Sequence, residues 1–363
     1  MMRQTVTASH PSALTAGPEE WAAYFKEKNT PAYRAGQVLD WIFKRRVDSF
    51  EKMSNLPKNL REQLADDFSF YLPKLERIQG AKDETQKFLF RLASDDLIET
   101  VLIPASPALY GEASDRRTLC VSSQVGCAYG CRFCASGLDG WKRNLDAAEI
   151  VSQFLQVEAL SAERVNNIVF MGMGEPLANY DNLMEAIRII NAPWGIGLGA
   201  RHITISSSGL APQIKKLADE PKQIRLAISL HAATDEVRSR IMPVNRKYPI
   251  AELMDACAYF RKKKKQHITF EYILIRDVND SIGQAQKLAR LAHGLQAKVN
   301  LIPYNKVEGL DWVRPEQGRQ ETFLKYLRGA GVAATLRREK GHDIAAACGQ
   351  LRLQVEQKKT AVA

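Results

Sequence analysis

No apolar run reaches the roughly 18 residues that suggest a membrane span, and the opening stretch MMRQTVTASHPSALTAGPEE carries no hydrophobic signal core. Both absences leave a cytoplasmic chain with no membrane partner as the expectation. The Ser, Thr, Ala and Pro content of that stretch reads as a disordered leader over residues 1–20. No internal repeat or low-complexity segment stands out. Cysteine is scarce, six in 363 residues. In a chain this long without an export signal, those thiols read as reduced, for metal binding or catalysis, rather than as a disulfide framework. Acidic residues are outnumbered, 41 against 51 Lys and Arg, giving a net charge of +10 and an isoelectric point near 9.2. That excess favours a polyanionic partner but proves none, because many basic proteins bind no nucleic acid. With 45% hydrophobic and 25% charged residues, the chain has the composition of a globular enzyme, long enough for one large domain and one small one.

Residues 21–74 read as a helical accessory domain. Trp21, Tyr24 and Phe25, then Val38, Leu39, Ile42 and Phe43, recur at helical spacing, and LPKNLREQLADDF places Pro near a helix start. FKRRVDSFEKM sets basic residues beside aromatics. With no metal ligand or catalytic cluster present, the domain is assigned to binding, although a helical cap with a solvated basic face fits the same pattern. Residues 75–117 alternate: KFLFRLASDDLIETVLIP predicts a β-hairpin turning at Asp-Asp, and ASPALYGEASDRR a polar linker. From 118 to 351, strands at Thr118–Ser123, Asn167–Met171, His202–Ser207, Ile224–Leu230, Ile268–Ile275 and Lys298–Pro303 alternate with helices near Ala147–Leu160, Asn182–Ile190, Ala211–Ala218, Ile250–Lys263 and Ile282–Leu295. A helix near Glu321–Arg328, a strand at Val332–Arg337 and a flexible tail over 352–363 complete the chain. The rhythm predicts an α/β fold whose parallel sheet is curled or closed into a barrel.

The organising stretch is CAYGCRFC, with Cys127, Cys131 and Cys134. A zinc knuckle needs a second Cys/His pair at a matching distance, and none follows. Three thiolates can instead hold three irons of a cubane [4Fe-4S] cluster and leave the fourth open to a small molecule. A half-built zinc site or a stray thiol cluster is the plainer alternative. The spacing C-x3-C-x2-C, with the aromatic Phe133 before the third Cys, resembles the signature of the radical S-adenosylmethionine (SAM) superfamily.

In parallel barrels the active site forms at the C-terminal ends of the strands. The predicted strands end in Gly172-Met173-Gly174-Glu175-Pro176, Ser206-Ser207-Ser208-Gly209, Ser229-Leu230-His231 and Tyr304-Asn305. The two glycines let backbone approach a ligand closely, and Glu175 can accept hydrogen bonds from an ammonium group. This is similar to the Gly-Glu motif by which radical SAM enzymes hold the amino group of SAM. Gly174, Glu175, Ser206, Ser229, Leu230, His231 and Asn305 are therefore the cofactor-binding candidates. His231 alone would more often be a satisfied structural histidine. Small buried thiols are common in cores; Cys257, on the apolar face of LMDACAYF, fits that and receives no role, and Cys120 and Cys348 could be read the same way.

CVSSQVGC with its following Cys pair, MGMGEPL, ISLHA, NLIPYN and DIAAACGQL occur in this order in the RlmN/Cfr family of RNA adenosine methyltransferases, and the resemblance covers most of the chain, from about 22 to 351. It implies a helical N-terminal module followed by a partial six-stranded β/α radical-SAM barrel. It also answers a chemical difficulty: C2 of adenine has no nucleophilic lone pair, and a carbon radical can add there instead. In the family, one SAM methylates the cysteine matching Cys348. A second SAM, on the cluster, gives a 5′-deoxyadenosyl radical that takes hydrogen from that methyl group, and the methylene radical adds to adenine. The cysteine matching Cys120 then resolves the covalent protein–RNA link through a disulfide with Cys348. The C2 proton goes to the position matching Glu99, a role that rests wholly on the resemblance. Two SAM per turnover, an electron donor such as flavodoxin or ferredoxin, and a monomer acting on ribosomal RNA and tRNA belong to the same implication.

Two features depart from the commoner pattern: the long segment between Glu99 and Cys120, and Trp141 where Phe is more usual. SSQVGC and MGMGEPL lie nearer the RlmN side, which makes 2-methyladenosine in 23S ribosomal RNA and in tRNA next to the anticodon. A Cfr-type C8 methyltransferase conferring antibiotic resistance shares the machinery, and a non-catalytic iron–sulfur RNA-binding protein would explain the charge and the triplet alone. For RNA contact the candidates are Phe43–Arg46, Lys142-Arg143, Arg261–Lys265 and Arg337-Arg338. The Lys run reads more often as a solvated helix face.

Overall fold

The computed structural model describes residues 10–80, 85–105, 115–138, 140–306 and 310–337. Cys348, Arg338 and the tail over 352–363 lie outside the described residues.

The N-terminal module is built from α1 (Pro18–Glu27), α2 (Arg34–Phe43) and α3 (Lys58–Asp67). Pro18 opens α1 at a position whose N–H would be unpaired anyway, and the Glu20 carboxylate turns back to accept from the Gly17 N–H at 3.0 Å. The helical spacing seen in the sequence becomes the buried face: Trp21 stacks on Phe25 at 5.9 Å and meets Phe68 at 4.4 Å, while Val38, Leu39, Ile42 and Phe43 pack inward. Only the start of the expected leader, residues 1–9, falls outside the described residues. From residue 10 the chain is packed, with Ala13 and Leu14 fully buried and Ser12 bridged to Ser69. The Ala13 N–H donates to the Ser69 carbonyl and the Ser69 N–H to the Pro11 carbonyl, both at 2.9 Å, so backbone pairing and two apolar side chains together seat it, a signal the overall composition hid.

Ten strands form one sheet in the order β1 (Lys74–Gly80), β2 (Gln86–Arg91), β3 (Leu97–Pro104), β4 (Arg117–Cys120), β7 (Asn167–Phe170), β8 (Ile203–Ser207), β9 (Arg225–Ser229), β10 (Thr269–Leu274), β11 (Lys298–Pro303) and β12 (Ala334–Leu336). Strands β1 to β4 pair antiparallel, so the predicted hairpin β2–β3 is present and gains a neighbour on each side, of which β1 was not anticipated. From β4 to β12 every pairing is parallel, and the open order leaves β1 and β12 at the edges, a partial barrel among the described residues. A separate two-stranded ribbon pairs β5 (Gln124–Gly126) with β6 (Trp141–Asn144).

Short α4 (Ala135–Leu138) follows the cysteine triplet, and α5 (Ala147–Ser161) follows the ribbon. The crossovers then run through α6 (Tyr180–Asn191), α7 (Ala211–Asp219), α8 (Asp235–Ile241), α9 (Ile250–Lys264), α10 (Ile282–Leu295) and α11 (Gln317–Gly329). Helix α5 starts with a capping box in which the Asp146 carboxylate accepts from the Glu149 N–H at 2.8 Å and the Glu149 carboxylate from the Asp146 N–H at 3.0 Å. The module and the barrel share one apolar core, and Arg46 reaches Glu158 of α5 at 2.6 Å.

Because Leu14 is fully buried, Leu14→Ala should lower unfolding stability by about 2–5 kcal/mol. Chemical denaturation checks this; an unchanged midpoint would return the segment to a disordered leader.

Candidate active site

The C-terminal ends of the parallel strands open onto one cavity of about 370 Å³. Its wall gathers Cys127, Cys131, Cys134, Gly174, Glu175, Ser206, Ser229, His231 and Asn305, together with Cys120, from segments far apart in the chain. Among the described residues, Leu230 and Glu99 do not line it. Leu230 packs its side chain in the core, and its carbonyl accepts from Arg238 Nε at 3.1 Å.

The cysteine loop hangs between β5 and β6. Gly126, at φ +73°, has no room for a side chain, since a Cβ would sit 2.0 Å from the Gly140 carbonyl oxygen, and the Cys127 N–H donates to that oxygen at 2.9 Å. A turn closes from the Cys134 N–H to the Cys131 carbonyl at 3.0 Å, and the Arg132 N–H donates to the Ile241 carbonyl at 2.9 Å. Burial pushes the Cys127 thiol up to about 12 and holds Cys131 well above the usual thiol range; the neighbouring thiols and Glu175 act in the same direction. Such a set becomes thiolate only beside strong positive charge. Among the described residues no three His, Cys, Asp or Glu side chains are grouped to hold a single metal ion. A cubane asks no such thing, because each thiolate takes its own iron. Three soft donors on one cavity wall fit that group.

The Gly172–Pro176 loop lies against the root of the cysteine loop. A Cβ on Gly172 would stand 2.7 Å from the Val121 and Ser122 backbone, and one on Gly174, at φ +97°, 2.5 Å from the Gln124 side chain. These glycines allow close approach of one chain segment to another, and both also line the cavity. Hydrogen bonds fasten the contact, among them Gly172 N–H to Val121 carbonyl at 3.1 Å, Ser123 N–H to Met173 carbonyl at 2.9 Å, Met173 N–H to Ser122 Oγ at 3.0 Å, and Glu175 N–H to Gln124 Oε1 at 2.8 Å. The Glu175 carboxylate accepts from the Ser208 N–H at 2.6 Å and the Leu177 N–H at 3.1 Å. Burial raises its pKa while those N–H groups pull the other way, so a bound ammonium group would favour the ionised form.

His231, at φ +57°, is buried, and its Nδ1 accepts from the Ile273 N–H at 3.0 Å, which puts the ring proton on Nε2. Burial first and the Arg238 charge second depress its pKa to about 3, so the ring is neutral at physiological pH. Phe133, beside Cys134, meets its ring edge-on at 4.6 Å. Arg314 fixes Asn305 by donating to its Oδ1 at 2.8 Å. Two wall residues went unnoticed in the sequence, Glu271 on β10 and Asn300 on β11, joined at 2.7 Å. The available signal was a carboxylate within the apolar strand run TFEYIL, where burial raises its pKa.

Glu99 sits on β3 two residues before Val101, which lines the cavity. It is buried in an ion pair with Lys87 Nζ at 2.8 Å. Cys120, buried at the end of β4, pairs in register with Val101 and Val169. The basic candidates separate. Lys44 and Arg45 are exposed near Asp40, and Arg45 stacks on Trp41 at 4.3 Å. Phe43 is buried and Arg46 is tied to Glu158, so neither belongs to a free basic face. Arg143 grips Glu149 through two 2.8 Å bonds, and the Lys264 ammonium donates to the Glu220 and Lys222 carbonyls, both structural tasks.

The Radical SAM superfamily model matches residues 121–289, and the ribosomal RNA large subunit methyltransferase N-terminal domain model matches 15–69. A protein of Akkermansia muciniphila named "Probable dual-specificity RNA methyltransferase RlmN" is 54% identical over 96% of this chain and 97% of its own. The chain belongs to the RlmN family. A Bacillus mycoides relative of the same name is 45% identical over 99% of this chain and 98% of its own. The crystal structure of a radical SAM methyltransferase from Sphaerobacter thermophilus superposes with a TM-score of 0.87 at 42% identity, covering 94% of this chain and 98% of that one. RlmN-family membership makes this a SAM-dependent RNA methyltransferase, and radical SAM membership implies a [4Fe-4S] cluster and SAM.

Gly172→Ala should displace the Glu175 loop and weaken SAM binding roughly tenfold or more. Gly36→Ala, where a Cβ meets nothing within 4 Å, should bind normally. Calorimetry with SAM on the reconstituted proteins checks it; equal affinities would mean the loop contact does not position Glu175.

Proposed function

We propose that this chain converts adenosine to 2-methyladenosine in 23S ribosomal RNA and in tRNA next to the anticodon. The observation that carries the reading is the single cavity wall joining three cysteines, Glu175 and Cys120 in a chain whose relatives bear the RlmN name. Cys127, Cys131 and Cys134 would hold a [4Fe-4S] cluster, and Glu175, Ser206, Ser229, His231 and Asn305 would orient SAM on it, two SAM being used per turnover. The cluster and its SAM supply a hydrogen-abstracting carbon radical when bound. Cys348 carries the methyl group whose carbon becomes bonded to C2 of adenine. Glu99, ion-paired to Lys87, accepts the C2 proton, and the electron the radical adduct sheds would return to the cofactor that supplied it. The Cys120 thiolate attacks Sγ of Cys348, forming a disulfide and breaking the Sγ–CH2 bond, and the carbon released on adenine takes up a proton to become the methyl group.

Neutral His231 offers Nε2–H as a donor without adding charge to the site. The exposed Lys44 and Arg45 face is the part of the accessory domain suited to RNA phosphate. A monomer in a reducing cytoplasm, supplied with electrons by a flavodoxin or ferredoxin, completes the reading.

Mass spectrometry of nucleosides from RNA incubated with reconstituted enzyme, SAM and reductant tests it. Wild type should give 2-methyladenosine, Cys348→Ala none, and Cys120→Ala a trapped protein–RNA adduct. 8-Methyladenosine would instead place the chain with Cfr, and SAM cleavage without methylated adenosine would sink the substrate.

A further inference from the structure

Arg238, on α8, is fully buried, and none of its hydrogen-bond partners is an anion. Its Nε donates to the Leu230 carbonyl at 3.1 Å and its Nη1 to Asn245 Oδ1 at 2.9 Å. Its Nη2 reaches the Ser208 carbonyl at 2.6 Å and the Ser229 carbonyl at 3.4 Å. The guanidinium thus stitches the ends of β8 and β9 together directly behind the cavity wall. The space is made for it: Gly209, at φ +112°, would place a Cβ 3.0 Å from Nη2. Asp235, on the same helix, is engaged elsewhere, accepting from the Ile250 N–H at 2.8 Å and from Asn245 Nδ2 at 2.9 Å. Among the described residues Arg238 forms no ion pair.

A buried cation costs several kcal/mol unless an anion answers it. Burial lowers the Arg238 pKa only to about 10, so the charge remains at neutral pH. Ser208 and Ser229, whose carbonyls Arg238 of α8 holds, line the same cavity as Cys127, Cys131 and Cys134. The same helix docks the cysteine loop, because the carbonyl of its last residue, Ile241, accepts from the Arg132 N–H of that loop at 2.9 Å. A fixed, unanswered positive charge therefore sits behind a set of three thiols that would become anionic on taking up iron.

We propose that Arg238 is the counter-charge and positioning residue of the cluster, holding the β8 and β9 rim in place and stabilising the extra negative charge that the reduced cluster carries. The inference rests on the assignment of a cluster to Cys127, Cys131 and Cys134. Reduction adds one electron, taken from an external donor, to the cluster and its thiolates; a nearby buried cation favours that product and raises the reduction potential.

The test is an anaerobic redox titration of the reconstituted full chain, without SAM, followed by electron paramagnetic resonance, with iron determined on every sample. Arg238→Gln removes the charge and Arg238→Lys retains it. Asn245→Asp supplies an anion at the oxygen that already accepts from the intact guanidinium at 2.9 Å, so it carries the test where Arg238→Gln does not fold. At the wild-type midpoint, the ratio of reduced to oxidised cluster should fall roughly tenfold in Arg238→Gln and in Asn245→Asp, a shift of about 59 mV for one electron. Arg238→Lys should stay near wild type. Loss of iron from folded Arg238→Gln that Arg238→Lys restores supports the proposal equally. Iron-replete Arg238→Gln or Asn245→Asp protein with the wild-type potential overturns it. Wild-type protein that takes up no iron overturns the cluster assignment itself.

Discussion

The site depends on one backbone contact, the seating of residues 172–175 against residues 121–124. It joins the segment leading into the cysteine loop to the segment presenting Glu175, and it is possible only because positions 172 and 174 carry no side chain. Ser122 is itself pinned from behind: its N–H donates to Gln153 Oε1 at 2.9 Å and its carbonyl accepts from Gln153 Nε2 at 2.9 Å. Helix α5, started by its capping box and gripped by Arg143, therefore sets where the thiols and the carboxylate meet. A displacement of about 1 Å in such a constellation can cost roughly a hundredfold in rate.

Most of the parallel half was legible because each strand and crossover helix carries its own period, and because glycine, serine and asparagine mark the strand ends. The cysteine spacing and the GMGEP sequence carry the resemblance to radical SAM enzymes, and the structure brings both segments to one cavity wall. What the sequence hid is pairwise. Glu271 looks like a strand carboxylate until Asn300 appears beside it on the neighbouring strand. Arg46 and Arg143 look like RNA contacts until Glu158 and Glu149 close on them. Ala13 and Leu14 lie in a polar stretch, yet their burial and the backbone pairing with Ser69 seat it. At Gly172 the need for close approach is visible, but one partner of that approach, Val121, lies far back along the chain.

Charge is distributed by task. Exposed Lys44 and Arg45 belong to the accessory module, whereas Arg143, Lys264 and Arg238 are consumed in holding carboxylates and carbonyls. The net +10 thus overstates the surface available to a polyanion, since part of it is structural. At the site itself His231 is neutral and the thiols resist ionisation. Negative charge can enter only with cations, which is the requirement a metal cluster meets.

The most direct measurement is the electron paramagnetic resonance spectrum of the reduced, reconstituted chain recorded with and without SAM. A cluster held by three cysteines has one iron open to the ligand, so saturating SAM should change the spectrum, and Glu175→Gln should weaken that response. A spectrum indifferent to SAM, or a full complement of cluster in Cys134→Ala, would contradict the account.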